Sequence, residues 1–151
     1  MTRPDTAGSA LPSTTKLLCT AYAAIAVAAL IATWSQNLAY ADRGIGFLTV
    51  FWQDTKVNAA SRSITADIAL FLLAGIVFMV FEARKHGIRF VWVYVIASFF
   101  TAISVTFPLF LLARELTIHR EQAPRIGTAD KVGLAVMTLG LAAFTIWVDV
   151  A

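Results

Sequence analysis

Apolar and polar positions alternate along this chain in long blocks. Leu17 to Trp34 is an alanine-rich apolar stretch bounded by Lys16 on one side and Gln36-Asn37 on the other. Ile64 to Phe81 is a second, with Asp67 as its one charge and Glu82-Ala83-Arg84-Lys85 at its end. Phe90 to Ala113 is a third and contains Pro108; Val132 to Val148 is a fourth and shorter one. A helix rises about 1.5 Å per residue and needs roughly 20 residues to cross a hydrocarbon core about 30 Å thick. The pattern therefore predicts an all-α integral membrane bundle of four transmembrane helices, over 17–34, 64–81, 90–113 and 132–148. Around them it predicts a polar tail over 1–16, a three-helix core over 17–115, and a polar loop with the fourth helix over 116–151. Within loop 36–63, Gly44 to Trp52 is too short to span and is expected to lie in the interface.

Composition agrees with this solvent. The chain is 59% hydrophobic and 14% charged, with a mean hydropathy of +0.76, against roughly 45–50% apolar and about 25% charged in soluble domains. A soluble domain of 151 residues has too little interior to hide so many apolar side chains. Ala39-Tyr40-Ala41 has the form of a signal-peptide cleavage site, but the preceding 16-residue segment, the length of the apolar run and Trp34 favour a retained helix. Tyr22, Trp92, Tyr94 and Trp147 are expected toward one surface and Trp34, Tyr40 and Trp52 toward the other, where amphipathic rings meet water.

Charge limits the partners. A net charge of +3 arises from small mixed clusters rather than a basic face, which argues against nucleic acid and leaves membrane lipids as the expected surroundings. Four crossings would place Arg3, Lys16, Arg84, Lys85 and Arg89 on one side, and Arg43, Lys56, Arg62, Arg114, Arg120, Arg125 and Lys131 on the other. Raw count and local density then point in opposite directions; the density around the short loop favours both termini in the cytoplasm. Ala24, Ala28 and Ala32, the pair Ala74-Gly75, and Gly133 with Gly140 form small-residue faces. Such faces are expected as internal contacts, or as the interface of a homo-oligomer or of a partner membrane protein.

Candidate chemistry is sparse. Asp67 is the one ionisable group inside an expected span, and a carboxylate there is costly enough to ask for a reason. Ser63 or Thr65 could cap the helix just before it, so that the positive helix end favours Asp67. Alternatively Asp67 pairs with Arg114, and a polar groove joining these two with Asn58 would favour chemistry on an apolar substrate. Glu82 cannot form an acid/base couple with Asp67, because 15 residues of helix separate them by about 22 Å. Glu82 is expected beside Arg84 and Lys85. His86 and His119 are expected on opposite surfaces, so no cofactor or metal held jointly by both is expected, and Cys19 reads as a packing residue. Pro108 should kink the third helix, with Thr101, Ser104 and Thr106 near enough to satisfy the freed carbonyl. No phosphate-binding glycine loop or hydrolase signature occurs.

One combination of residues carries a resemblance. Asn58-Ala59-Ala60-Ser61, Asp67-Ile68, then Glu82-Ala83-Arg84-Lys85 with Gly87-Ile88-Arg89, and finally Pro108-Leu109-Phe110-Leu111 with Arg114-Glu115 follow one another in order. Over about Leu17 to Glu115 the chain resembles a family of small bacterial membrane proteins catalogued as domain of unknown function 2834. The resemblance implies three spans with a positive short loop between the last two, and an inner-membrane location; it implies no activity. The fourth helix lies outside it. The function expected is therefore a non-enzymatic structural, accessory or regulatory membrane component, with a small enzyme or carrier for an isoprenoid or lipid as the alternative.

Overall fold

The structure is a computed structural model, and it describes residues 12–118 and 127–150. Its described part is all-helical. Helix α1 covers Ser13–Asn37 and continues through a 3-10 segment, Leu38–Gly46, into the short α2, Phe47–Asp54. Helix α3 covers Ala59–His86, α4 Val91–Phe100, α5 Ile103–Thr117 and α6 Thr128–Val150. Three helical stretches are long and apolar enough to cross a membrane: the run Ser13–Asp54 that begins with α1, then α3, and then α6.

The first, second and fourth apolar stretches form helices where expected, each extended by a few residues into polar sequence. Gly44–Trp52 is not a loop: after the left-handed backbone of Gly44 (φ 51°), α2 begins. Tyr40 packs edge-on against Phe47 and Phe51, and its hydroxyl donates to Asp54 at 2.9 Å. These contacts fold 38–54 into a small aromatic-faced hairpin beyond the end of α1.

Helix α3 starts on a reciprocal cap. The Asn58 side chain accepts from the Ser61 N–H at 2.9 Å, and the Ser61 hydroxyl accepts from the Asn58 N–H at 3.2 Å. The cap thus lies ahead of Ser63 and Thr65, which do not serve. Asp67 stands two turns into the helix, past the turn where the helix dipole stabilises an anion. At the other end Gly87 takes the left-handed conformation (φ 68°) that closes the helix, with Arg84, Lys85 and His86 in its last turn.

The third apolar stretch is not one helix. It breaks at Thr101-Ala102, where Ala102 is extended (φ 161°, ψ 150°), and α5 folds back along α4. The Ser98 hydroxyl meets that of Thr106 at 2.5 Å, and Tyr94 packs edge-on against Phe110 at 5.7 Å. In an unbroken helix, residues 16 apart would be about 24 Å apart. At about 15 Å, α4 reaches only half-way through a core about 30 Å thick. Pro108 lies in the second turn of α5 and is buried; the reversal comes six residues earlier. Nor do Thr101 and Thr106 serve the proline. Their hydroxyls donate to the carbonyls of Ala97 (2.8 Å) and Ala102 (3.3 Å), on either side of the break. Irregular backbone at membrane depth needs such internal partners.

Helix α5 is the centre of the fold, packed by α1, α3 and α4. Met79 and Phe110 are fully buried there, with Ala83, Val91, Val95 and Ile103 around them. Gly75 faces α5: a Cβ built on it would stand at ordinary contact distance, 3.7 Å from Ile103 and 3.8 Å from Phe107. Of the expected pair Ala74-Gly75, Gly75 makes this internal contact and Ala74 is exposed. On α1 the face toward the bundle carries the buried Thr15 and Ala26, whereas Ala24 and Ala28 are exposed. Helix α6 touches only α1 among the described elements, and its Asp149 accepts from Gln36 Nε2 at 3.3 Å. Gly133 and Gly140 have nothing within 4 Å of a built Cβ.

Candidate functional site

The polar cluster of the fold sits where α3 and α5 end together. Arg114, in the last turn of α5, donates from Nε to Oε2 of Glu82 at 2.5 Å and from Nη1 to Oε1 of Glu115 at 3.3 Å. Glu115 is buried. Around Glu82, Lys85 Nζ lies 3.9 Å from Oε1, and His86 Nε2 lies 3.3 Å from Oε2. Cys19 of α1 lies within electrostatic range of Glu115, which brings the N-terminal part of α1 to the same end of the bundle.

Two sequence expectations change here. Arg114 pairs with Glu82 and not with Asp67, because the fold-back returns α5 to the end of α3 from which α4 departed. Glu82 does neighbour Lys85, as expected, but its shortest contact is with an arginine expected on the other surface. Asp67 is exposed, with no hydrogen bond or ion pair among the described residues, and Asn58 is occupied in capping α3. The groove that would join Asp67, Arg114 and Asn58 does not form. Among the described residues no group of three or more His, Cys, Asp or Glu is placed to hold a metal ion. His119, expected on the surface opposite His86, lies outside the described residues.

The cluster can do one thing well. A carboxylate and a guanidinium facing each other in a mostly desolvated site lock two helices in register. The signal available in the sequence was the hydroxyl group of residues Ser98, Thr101, Ser104 and Thr106 in the middle of an apolar stretch. Hydroxyls at that density supply the partners that a turn inside an apolar stretch requires, and a turn there brings Arg114 to Glu82.

A second feature lies beside the cluster. A cavity of about 270 Å³ opens at the α3–α4 turn, lined among others by Arg84, Gly87, Arg89, Phe90 and Trp92. Arg89 stacks over the Phe90 ring at 5.6 Å, and neither Arg84 nor Arg89 has a carboxylate within 4 Å among the described residues.

Comparison with known proteins gives one positive finding. Neither the curated proteins nor the solved structures searched contain a match to the chain. The family model described as protein of unknown function DUF2834 matches residues 21–116, the stretch that holds α3, the α4–α5 hairpin, Glu82 and Arg114. Because that match covers more than half of the chain, the protein belongs to the DUF2834 family.

Proposed function

We propose that this protein is a non-enzymatic, multi-pass component of a cell membrane, an accessory or regulatory subunit that assembles with a copy of itself or with another membrane protein. In this reading α1, α3 and α6 cross the bilayer, while α4 and α5 enter and leave from the same side. The observation that carries it is the placement of the charges. Glu82 and Arg114, the groups best suited to chemistry, are bound to each other, and the carboxylate left over, Asp67, faces out of the fold. A lone carboxylate on an apolar helix finds its partner in another chain or in water at the membrane surface.

The same topology sorts the cations. Lys16, Arg84, Lys85, Arg89, Arg114 and Lys131 fall on one side and Arg43, Lys56 and Arg62 on the other; Arg120 and Arg125 follow Arg114 in the sequence. The opposition found with four crossings disappears, and the arginine-rich side is cytoplasmic by the positive-inside rule. Three crossings put the N-terminus in the cytoplasm and the C-terminus outside, instead of both in the cytoplasm. Trp147 then shares the outer side with Trp34, since Asp149 meets Gln36.

Complementation tests the function. In a strain lacking the gene, an Asp67→Asn chain that inserts normally is expected to restore the phenotype at least in part, since an amide can still hydrogen-bond a partner. Complete failure to restore the phenotype with insertion and assembly intact would point instead to the lipid-enzyme reading, in which the carboxylate itself reacts.

A further inference from the structure

The α3–α4 turn combines three properties on one small surface. It has a cavity of about 270 Å³. Arg84 and Arg89, two of the residues lining it, have no carboxylate within 4 Å among the described residues, and the first turn of α4 contains no acid. Next to them stand large exposed apolar rings, Phe90 at 73% and Trp92 at 53% exposure. Nearby Lys85 differs, because it lies within ion-pair distance of Glu82. Cationic charge without a counter-ion favours an anion with several acceptor oxygens, which arginine's planar fork recognises. Exposed apolar rings continuing from the same cavity favour an anion that carries its own hydrocarbon.

We propose that this turn is a headgroup site for an anionic phospholipid, its phosphate held by Arg84 and Arg89 and its acyl chains lying along Phe90 and Trp92. The inference rests on the membrane reading above. It adds a specific lipid class and places the site in the arginine-rich leaflet. A free phosphate would use the same arginines but would gain nothing from the apolar rings, so the lipid is the occupant that uses the whole surface. Because each cation near a membrane surface favours anionic lipid about fivefold, the pair sets a preference of fivefold or more over a zwitterionic lipid.

Trp92 reports on its own neighbours. Trp34, Trp52 and Trp147 are 38%, 50% and 67% exposed, so the full chain with these three changed to Phe retains Trp92 as its only tryptophan. Reconstituted into vesicles, its fluorescence is titrated with brominated phosphatidylglycerol against brominated phosphatidylcholine. The expected result is at least fivefold tighter apparent association of phosphatidylglycerol, falling to near parity in Arg84→Gln/Arg89→Gln with phosphatidylcholine quenching unchanged. Parity in the parent, or an undiminished preference in the double variant, overturns the site. Loss of the preference in millimolar inorganic phosphate, with salt held constant, would show a free-anion site and also overturn it. Quenching by neither lipid would defeat the membrane reading and the site with it, a result distinct from equal quenching by both. Native mass spectrometry of the unsubstituted chain gives an independent reading. Phosphatidylglycerol should remain bound where phosphatidylcholine is lost, and the arginine double variant should lose both alike.

Discussion

A disulfide between positions 98 and 106 separates a hairpin from a single span. In an unbroken helix these residues would lie about 12 Å apart, whereas a disulfide requires Cα atoms within roughly 7 Å and Cβ atoms about 3.5–4.5 Å apart. In the folded-back arrangement the Ser98 and Thr106 hydroxyl oxygens are 2.5 Å apart, which places their Cβ atoms within about 5 Å, one small adjustment from disulfide geometry. The experiment uses Ser98→Cys/Thr106→Cys on a Cys19→Ser background, so that no native thiol competes. Membranes are treated with a permeant oxidant, the chain is denatured, and remaining thiols are counted with a maleimide polymer that shifts gel mobility. Before oxidation two adducts are expected. After oxidation none are expected, with the chain still migrating as a monomer, and reduction should restore both. Two adducts persisting after oxidation, while single-cysteine controls label normally, would refute the hairpin and with it the side assigned to Arg114.

Three further outcomes follow from the same packing. Gly75→Ala should be tolerated, since the added Cβ meets Ile103 and Phe107 at ordinary contact distances, but Gly75→Leu should separate α3 from α5 and cost about 1–3 kcal/mol, read as lowered thermal stability in detergent. Glu82→Gln should destabilise the chain by removing Arg114's closest anionic partner. The double variant Glu82→Gln/Arg114→Gln should be less affected than Arg114→Gln alone, because Glu82 is then not left charged without its guanidinium, while Glu115 loses Arg114 in both; a double variant worse than both singles would argue against this pairing. Alkaline phosphatase fused after Val150 should be active and fused after Ile118 inactive in a bacterial host, whereas four crossings with both termini inside would reverse both results.

Helix positions are readable from the sequence because hydropathy measures how apolar a segment is, and α1, α3 and α6 are apolar along their central stretches. Hydropathy does not record direction. Phe90 to Ala113 has the same apolar content whether it crosses once or goes in and returns, and its length of 24 residues fits either course. Pro108 is conspicuous because a missing N–H is visible in sequence, but the break comes where hydroxyl side chains hold the carbonyls of Ala97 and Ala102. The Glu82–Arg114 pair was hidden for the same reason. Its partners are 32 positions apart, and only the path of the chain between them decides whether they end on one surface or on two. Asp67 stands out in the sequence as the one charge of its apolar stretch, yet Arg114, the cation expected as its partner, is bound to Glu82.

The depth of the hairpin explains why the two carboxylates of α3 end so differently. Helix α5 meets α3 from Gly75, which faces Ile103 and Phe107, through to Glu82, which faces Arg114. Asp67 is eight residues, or about 12 Å, beyond Gly75, above the tip of the hairpin. There α3 has lost its only neighbours, because among the described elements it contacts α4 and α5 alone. Glu82 is satisfied within the chain, whereas Asp67 is not within reach of Arg114 at any rotamer. A helix of 28 residues is about 42 Å long, so a core about 30 Å thick leaves some 12 Å to distribute between its ends. In the topology proposed above, Glu82, held by Arg114, stands at one boundary of the core, and Asp67 falls about 22 Å away, inside the hydrocarbon but near the opposite edge. At that depth a carboxylate needs either water drawn in above the hairpin tip or a donor from a second chain. This is why Asp67 is the position at which assembly of the protein should be tested first.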